Sequence, residues 1–102
     1  MGKYVYAYKG GSLSTTEEER NAAMAAWGAW FGGLGDSVVD MGAPFGGSAA
    51  TSGNGSTGNA PSALTGYSVV TASSLEDAVS KAGGCPIFAN GGDVEVYEAL
   101  EM

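Results

Sequence analysis

Tyr4, Tyr6 and Tyr8 alternate with Val5 and Ala7 across residues 3–9. This strict period of two predicts a strand apolar on both faces, and such a strand belongs in the middle of a sheet. Gly10-Gly11 ends it. Ser14 and Glu17 then form an S-x-x-E capping box ahead of a run of glutamates, where the helix dipole favours negative charge, so a helix is predicted from near Thr15. Met24, Trp27, Phe31 and Leu34 recur at spacings of three, four and three, and Ala23 and Trp30 widen the stripe. One face of the helix is therefore apolar, the other carries Glu18, Glu19 and Arg20, and Gly32, Gly33 and Gly35 stop it.

Residues 37–45 read as a second strand, with Val39, Met41 and Ala43 on one face, Val38, Asp40 and Gly42 on the other, and Pro44 near its end. From 46 to 62 the composition shifts to Gly, Ser, Thr, Ala and Asn, with no large hydrophobic side chain to anchor the segment in a core. A flexible loop is predicted there, and loops of this length in small domains are functional or mobile. Residues 64–72 form a third strand, with Tyr67, Val69 and Thr71 opposite Ser68 and Val70. Ser73 and Glu76 repeat the capping box, and Leu75, Ala78, Val79 and Ala82 sit at i, i+3, i+4 and i+7 of a short helix closed by Gly83-Gly84. After Cys85-Pro86 and an Asn90-Gly91-Gly92 turn, residues 93–100 give a last strand, with Val94 and Val96 opposite Glu95 and Tyr97.

The order βαββαβ predicts an α+β fold in a single domain over residues 1–102, a ferredoxin-like sandwich. Its four-stranded antiparallel sheet would carry both helices on one face. The other face would then be an apolar surface larger than a soluble monomer normally exposes, and a second copy packed sheet to sheet is the simplest cover.

Composition narrows the chemistry. The 102 residues include 18 glycines, no histidine and one cysteine, which excludes Ser-His-Asp and Cys-His catalysis, His-based metal sites and an intrachain disulfide. Lys3, Lys9, Arg20 and Lys81 are scattered in a chain of net charge −7, so nucleic acid is not an expected partner. No apolar run approaches the roughly 18 to 20 residues that span a bilayer, and the opening residues do not read as a signal peptide; no membrane association and a cytoplasmic location are expected.

Asp40, a carboxylate in an apolar strand, is the candidate general base if desolvated, and a solvated edge position otherwise. Cys85 precedes a proline in a loop, but no cation lies near it in sequence to lower its pKa, and a small half-buried thiol is the plainer reading. Tyr8, Tyr67 and Ser68 could supply hydroxyls to a pocket, while stacked tyrosines in a sheet are ordinarily core or interface. Asp93, Glu95, Glu98 and Glu101 alternate faces and lack a calcium-loop pattern, so they read as a charged edge and no metal is expected. Gly53-Asn54-Gly55-Ser56 lacks the lysine and following helix of a phosphate loop.

Taken together, several segments resemble the YCII-related (DGPF-type) family of small bacterial proteins. They are Lys3-Tyr4 with Tyr8, Trp27-Gly28-Ala29-Trp30-Phe31, the run from Val39 through Gly46, Thr65-Gly66-Tyr67-Ser68, Ala72 through Ala78, Gly84-Cys85-Pro86, and Gly91 through Tyr97. The resemblance implies the dimeric α/β barrel fold, a homodimer, and a pocket near the sheet interface. It also implies a His-Asp pair in some members, but Met24 stands at the place of the histidine and Cys85-Pro86 at the place of the Asp-Pro turn. Two functions follow as expectations. One is small-molecule binding near the dimer interface, or cofactor-free catalysis, with Asp40 as the catalytic group and Tyr8, Tyr67, Ser68 and Cys85 lining the site. The other is a catalytically inactive dimeric module with a structural or regulatory role.

Overall fold

The computed structural model describes residues 2–10 and 16–100. Ser14, Thr15 and Glu101, used in the predictions above, lie outside them. The chain is α+β, with β1 (Gly2–Lys9), α1 (Glu17–Leu34), β2 (Val38–Pro44), β3 (Ala50–Thr51), β4 (Thr57–Gly58), β5 (Leu64–Ala72), α2 (Leu75–Ala82) and β6 (Asp93–Ala99). Four strands form one sheet in the order β2-β5-β1-β6 with every neighbouring pair antiparallel, an arrangement compatible with a ferredoxin-like sandwich. β1 lies inside the sheet, as its two apolar faces predict.

The core forms because β1 aims three tyrosines at the helices. Tyr4, Tyr6 and Tyr8 are buried, with Tyr6 stacked on Trp30 at 5.9 Å and Tyr8 edge-on to Trp27 at 5.1 Å. α2 offers small residues to the same layer, and Ala78 and Ala82 are buried. The Tyr6 hydroxyl donates to the Ala78 carbonyl at 2.5 Å, and Trp30 Nε1 donates to the Lys81 carbonyl at 3.2 Å. Large rings from β1 and α1 thus pack over alanines of α2, and polar tips that burial would otherwise leave unpaired tie the two helices to the sheet.

Both helix starts differ by a residue or two from the predicted boxes. Thr16 caps α1, its Oγ1 accepting from Glu19 N at 3.1 Å, so helix growth begins at Glu17. Ser74 caps α2 by accepting from Asp77 N at 3.0 Å, while the Asp77 carboxylate accepts from Ser73 N at 2.9 Å. The reciprocal box is built on Asp77 in place of Glu76, and these hydrogen bonds, first that from Ser73 N, hold the Asp77 carboxyl below its usual pKa. The apolar stripes are also narrower than their spacing implies. Met24 is 73% exposed, and Leu75 and Val79 are exposed while Ala78 and Ala82 carry the contact of α2.

β2 departs most from its pattern. Register shifts between Val38 and Asp40 and between Asp40 and Ala43 break the alternation, so Val38 pairs with Val70 on the helix side while Asp40 pairs with Val69 on the other. Gly42 sits at φ +77°, and a Cβ there would lie 1.7 Å from the Tyr67 carbonyl oxygen. Only glycine allows the strand to approach β5 this closely.

The predicted loop over 46–62 contains a small hairpin, β3 paired with β4. The sheet face away from the helices stays open: Val5, Ala7, Tyr67, Val69, Thr71 and Tyr97 share it by register, and the molecule is only 19 Å in its thinnest direction.

Candidate functional site

The candidate residues fall on two sides of the sheet. On the helix side, Tyr8 and Ser68 form a closed hydroxyl chain: Tyr8 OH donates to Ser68 Oγ at 2.7 Å, and Ser68 Oγ donates to the Met41 carbonyl at 2.7 Å. Gly66, opposite Tyr8 in the register, leaves room for its ring. Burial raises the Tyr8 hydroxyl's pKa against the smaller opposing effect of Ser68, and burial pushes the Tyr6 hydroxyl up to about 12. Neither tyrosine exchanges protons near neutral pH. Among the described residues no buried side-chain polar atom lacks a partner.

Cys85 closes the same core. It is buried at the head of the turn Pro86–Asn90, its N–H donating to the Ala82 carbonyl at 3.0 Å. Burial pushes the thiol up to about 11, outweighing the Ile87 backbone N–H that favours the thiolate. A thiol so placed is a core residue and not a nucleophile.

On the open side stand Asp40 and Tyr67. Of the two readings of Asp40 the structure shows the solvated one, because the residue is exposed on the edge strand of the sheet. Its Oδ1 accepts from Gly42 N at 2.8 Å, so it closes the bulge that Gly42 makes. Tyr67 is half-buried and stacks on Phe45 at 5.7 Å. The sheet therefore separates Asp40 and Tyr67 from Tyr8, Ser68 and Cys85. The space between helices and sheet is filled by the tyrosine and tryptophan rings.

An opening of about 300 Å³ occurs instead at the base of the hairpin, between Phe45, Gly47, Ser48, Ala49, Ala60, Ser62 and Leu64. Ser48 Oγ accepts from Ala60 N at 3.3 Å and ties the two limbs of the arm together beside it. Sequence reasoning missed these residues; the available signal was Phe45 and Leu64, large apolar side chains at the two ends of a segment that has none. The lining carries no ionisable side chain among the described residues, so it can hold a molecule by shape and dispersion but cannot move a proton.

Among the described residues, no group of three or more cysteine, aspartate and glutamate side chains is placed to hold a metal ion, and no helix is long and apolar enough to cross a membrane. Compared with protein-family models, curated proteins and solved structures, the chain shows no match.

Proposed function

We propose that the protein works as a homodimer paired through the open face of its sheet, a non-catalytic module with a structural or regulatory role. The observation that carries this reading is the face turned away from the helices, where half-buried Val5, Val69 and Tyr67 surround a buried Ala7 and Tyr97 is exposed beside them. The YCII-like segments imply the same dimeric barrel, and Met24 and Cys85 leave that family's His-Asp pair without a counterpart.

Pairing two such faces buries on the order of 1,500 Å² in total. With about two-thirds of it apolar, at about 25 cal/mol per Å², the gain is roughly 25 kcal/mol, above the ~4–15 kcal/mol of lost translational and rotational freedom. Side-chain ordering and the desolvation of Glu95, which accepts from Tyr97 OH at 2.8 Å on this face, take up part of the surplus.

Sedimentation at micromolar concentration tests the reading. The dimer persists from low to high salt, because burial and not ion pairing drives it, and salt screens the repulsion between two chains of charge −7 each. Val69→Lys gives a folded monomer, whereas Asp40→Asn and Cys85→Ala stay dimeric and leave the cellular phenotype unchanged. A wild-type monomer under both salt conditions overturns the proposal.

The opening at the arm favours a second reading, a small-molecule binding protein without a cofactor. Phe45 links this opening to the open face through its stack on Tyr67. A metabolite-dependent rise in Tm that an Ala49→Trp filling of the opening abolishes supports this reading, and a flat panel removes it.

A further inference from the structure

The arm between β2 and β5 turns at Asn54-Gly55, and we propose that this dipeptide is a self-modification site that converts Asn54 to aspartate and isoaspartate. The Gly55 amide nitrogen attacks Asn54 Cγ, forming a C–N bond and a five-membered succinimide. The Cγ–Nδ2 bond breaks, and the proton lost by Gly55 N leaves with Nδ2 as ammonia. Water then opens the ring at one of its two C–N bonds, giving aspartate or, with Cβ drawn into the main chain, isoaspartate.

Three donors converge on the oxygen where charge grows in the first step. Asn54 Oδ1 accepts from Ser56 N at 2.9 Å, from Ser56 Oγ at 2.7 Å, and from Ser52 Oγ in a short contact. The amide orientation is fixed by chemistry, since a backbone N–H cannot donate to Nδ2. Donors already aimed at a developing oxyanion lower the barrier to its formation, as they do in acyl transfer. The hydrogen bond from Ser56 N to Oδ1 also closes a ring that contains both Cγ and Gly55 N, holding the electrophile over the peptide that attacks it.

The turn is open around Gly55. It lies at φ +87° and, its two chain neighbours aside, no atom stands within 4 Å of where a Cβ would be, while its N–H is held by the Ser52 carbonyl. The turn is exposed, and water reaches the succinimide. Ser52 N donates to Ser56 O at 2.8 Å and Gly55 N to Ser52 O at 3.0 Å, which keeps the turn closed while the side chain is held. The Gly55 N–H must leave the Ser52 carbonyl before attack, so conversion accelerates with rising pH. An isoaspartate lengthens the main chain by one carbon inside this turn, which shifts Ser52 against Ser56 and breaks the Thr51↔Thr57 pairing of the hairpin.

The unfolded chain is the reference, because it keeps the Asn54-Gly55 sequence and loses the three donors. The experiment incubates the intact protein in mildly alkaline buffer, with and without urea, and follows Asn54-Gly55 by peptide mapping, with Asn54→Asp as the marker for the aspartate product. Asn54 converts at least tenfold faster in the native protein than in urea. In the Ser52→Ala/Ser56→Ala double variant, which leaves the Ser56 N–H on Oδ1, the rate at Asn54 falls about tenfold, less than the 10²–10³-fold loss typical of a desolvated donor because the turn is in water. Equal rates in the native and unfolded chain, or an unchanged or faster rate in the double variant, overturn the proposal. The serines are exposed, so folding does not confound the comparison.

Discussion

Replacing Ser68 by alanine removes the middle of the buried hydroxyl chain from Tyr8 to the Met41 carbonyl. Ser68 is 0% exposed, and both of its hydrogen bonds are 2.7 Å long. In Ser68→Ala the Tyr8 hydroxyl loses its acceptor and Met41 O its donor, in a space that gains only the volume of one oxygen, too small for water. At ~1–3 kcal/mol for the buried Tyr8 hydroxyl and about 1 kcal/mol for the part-buried Met41 carbonyl, the expected loss is about 2–4 kcal/mol. Tyr8→Phe is milder: Ser68 still donates to Met41 O, and a net loss of about 0.5–1.5 kcal/mol follows. The double variant leaves no orphan hydroxyl, so it is less destabilised than the sum of the singles by about 1–2 kcal/mol. Urea unfolding followed by circular dichroism measures all three, and Ser68→Ala lowers Tm by roughly 10 °C or more for a domain of this size. Additive singles, or a larger loss in Tyr8→Phe than in Ser68→Ala, would refute the closed-chain account.

Gly42→Ala places a Cβ against the Tyr67 carbonyl at a positive φ, and because the obstacle is backbone, β2 must part from β5. A loss of about 3–5 kcal/mol is expected in urea unfolding, and a neutral result would mean that β2 does not hold this register. Cys85, with its thiol pushed up to about 11, resists iodoacetamide at neutral pH in the native protein and reacts readily in urea. Native labelling as fast as denatured labelling contradicts its burial.

The element order was legible because β1, β5 and β6 keep a period of two over most of their length, the one shift between β1 and β5 falling at Tyr8/Lys9, the end of β1. β5 begins and ends where Leu64 and Ala72 predict, and Val94 and Val96 of β6 pack on the core as their alternation requires. β2 was not legible as regular pairing, because a bulge changes which face a residue takes without changing the sequence alternation. Gly42 was the sign of it. The hairpin in residues 46–62 was read as a loop because its strands bury no hydrophobic side chain, and the pairing is held by the Asn54 turn, whose bonds run through a side-chain oxygen. Helix stripes overstated burial for the opposite reason: spacing marks which residues share a face but not how far that face reaches. Met24 lies beyond the rings that α1 uses for contact, and Val79 beyond the alanines that α2 uses.

The candidate site dissolved for a reason that follows from β1 itself. A strand apolar on both sides does not say which side meets the helices, and the hydroxyls decide it. Tyr6 and Tyr8 can be buried only where each finds a polar partner; the Ala78 carbonyl and Ser68 Oγ provide them on the helix side. Satisfied there, these hydroxyls serve the core, and the face turned away from the helices carries Val5, Ala7 and Val69. Polar chemistry is used up in holding the core together, and what remains unpartnered is an apolar surface and a glycine-rich arm. On the proposed reading recognition works through the open face and the arm, so Val69→Lys disturbs the dimer in sedimentation more than any change at Asp40 or Cys85.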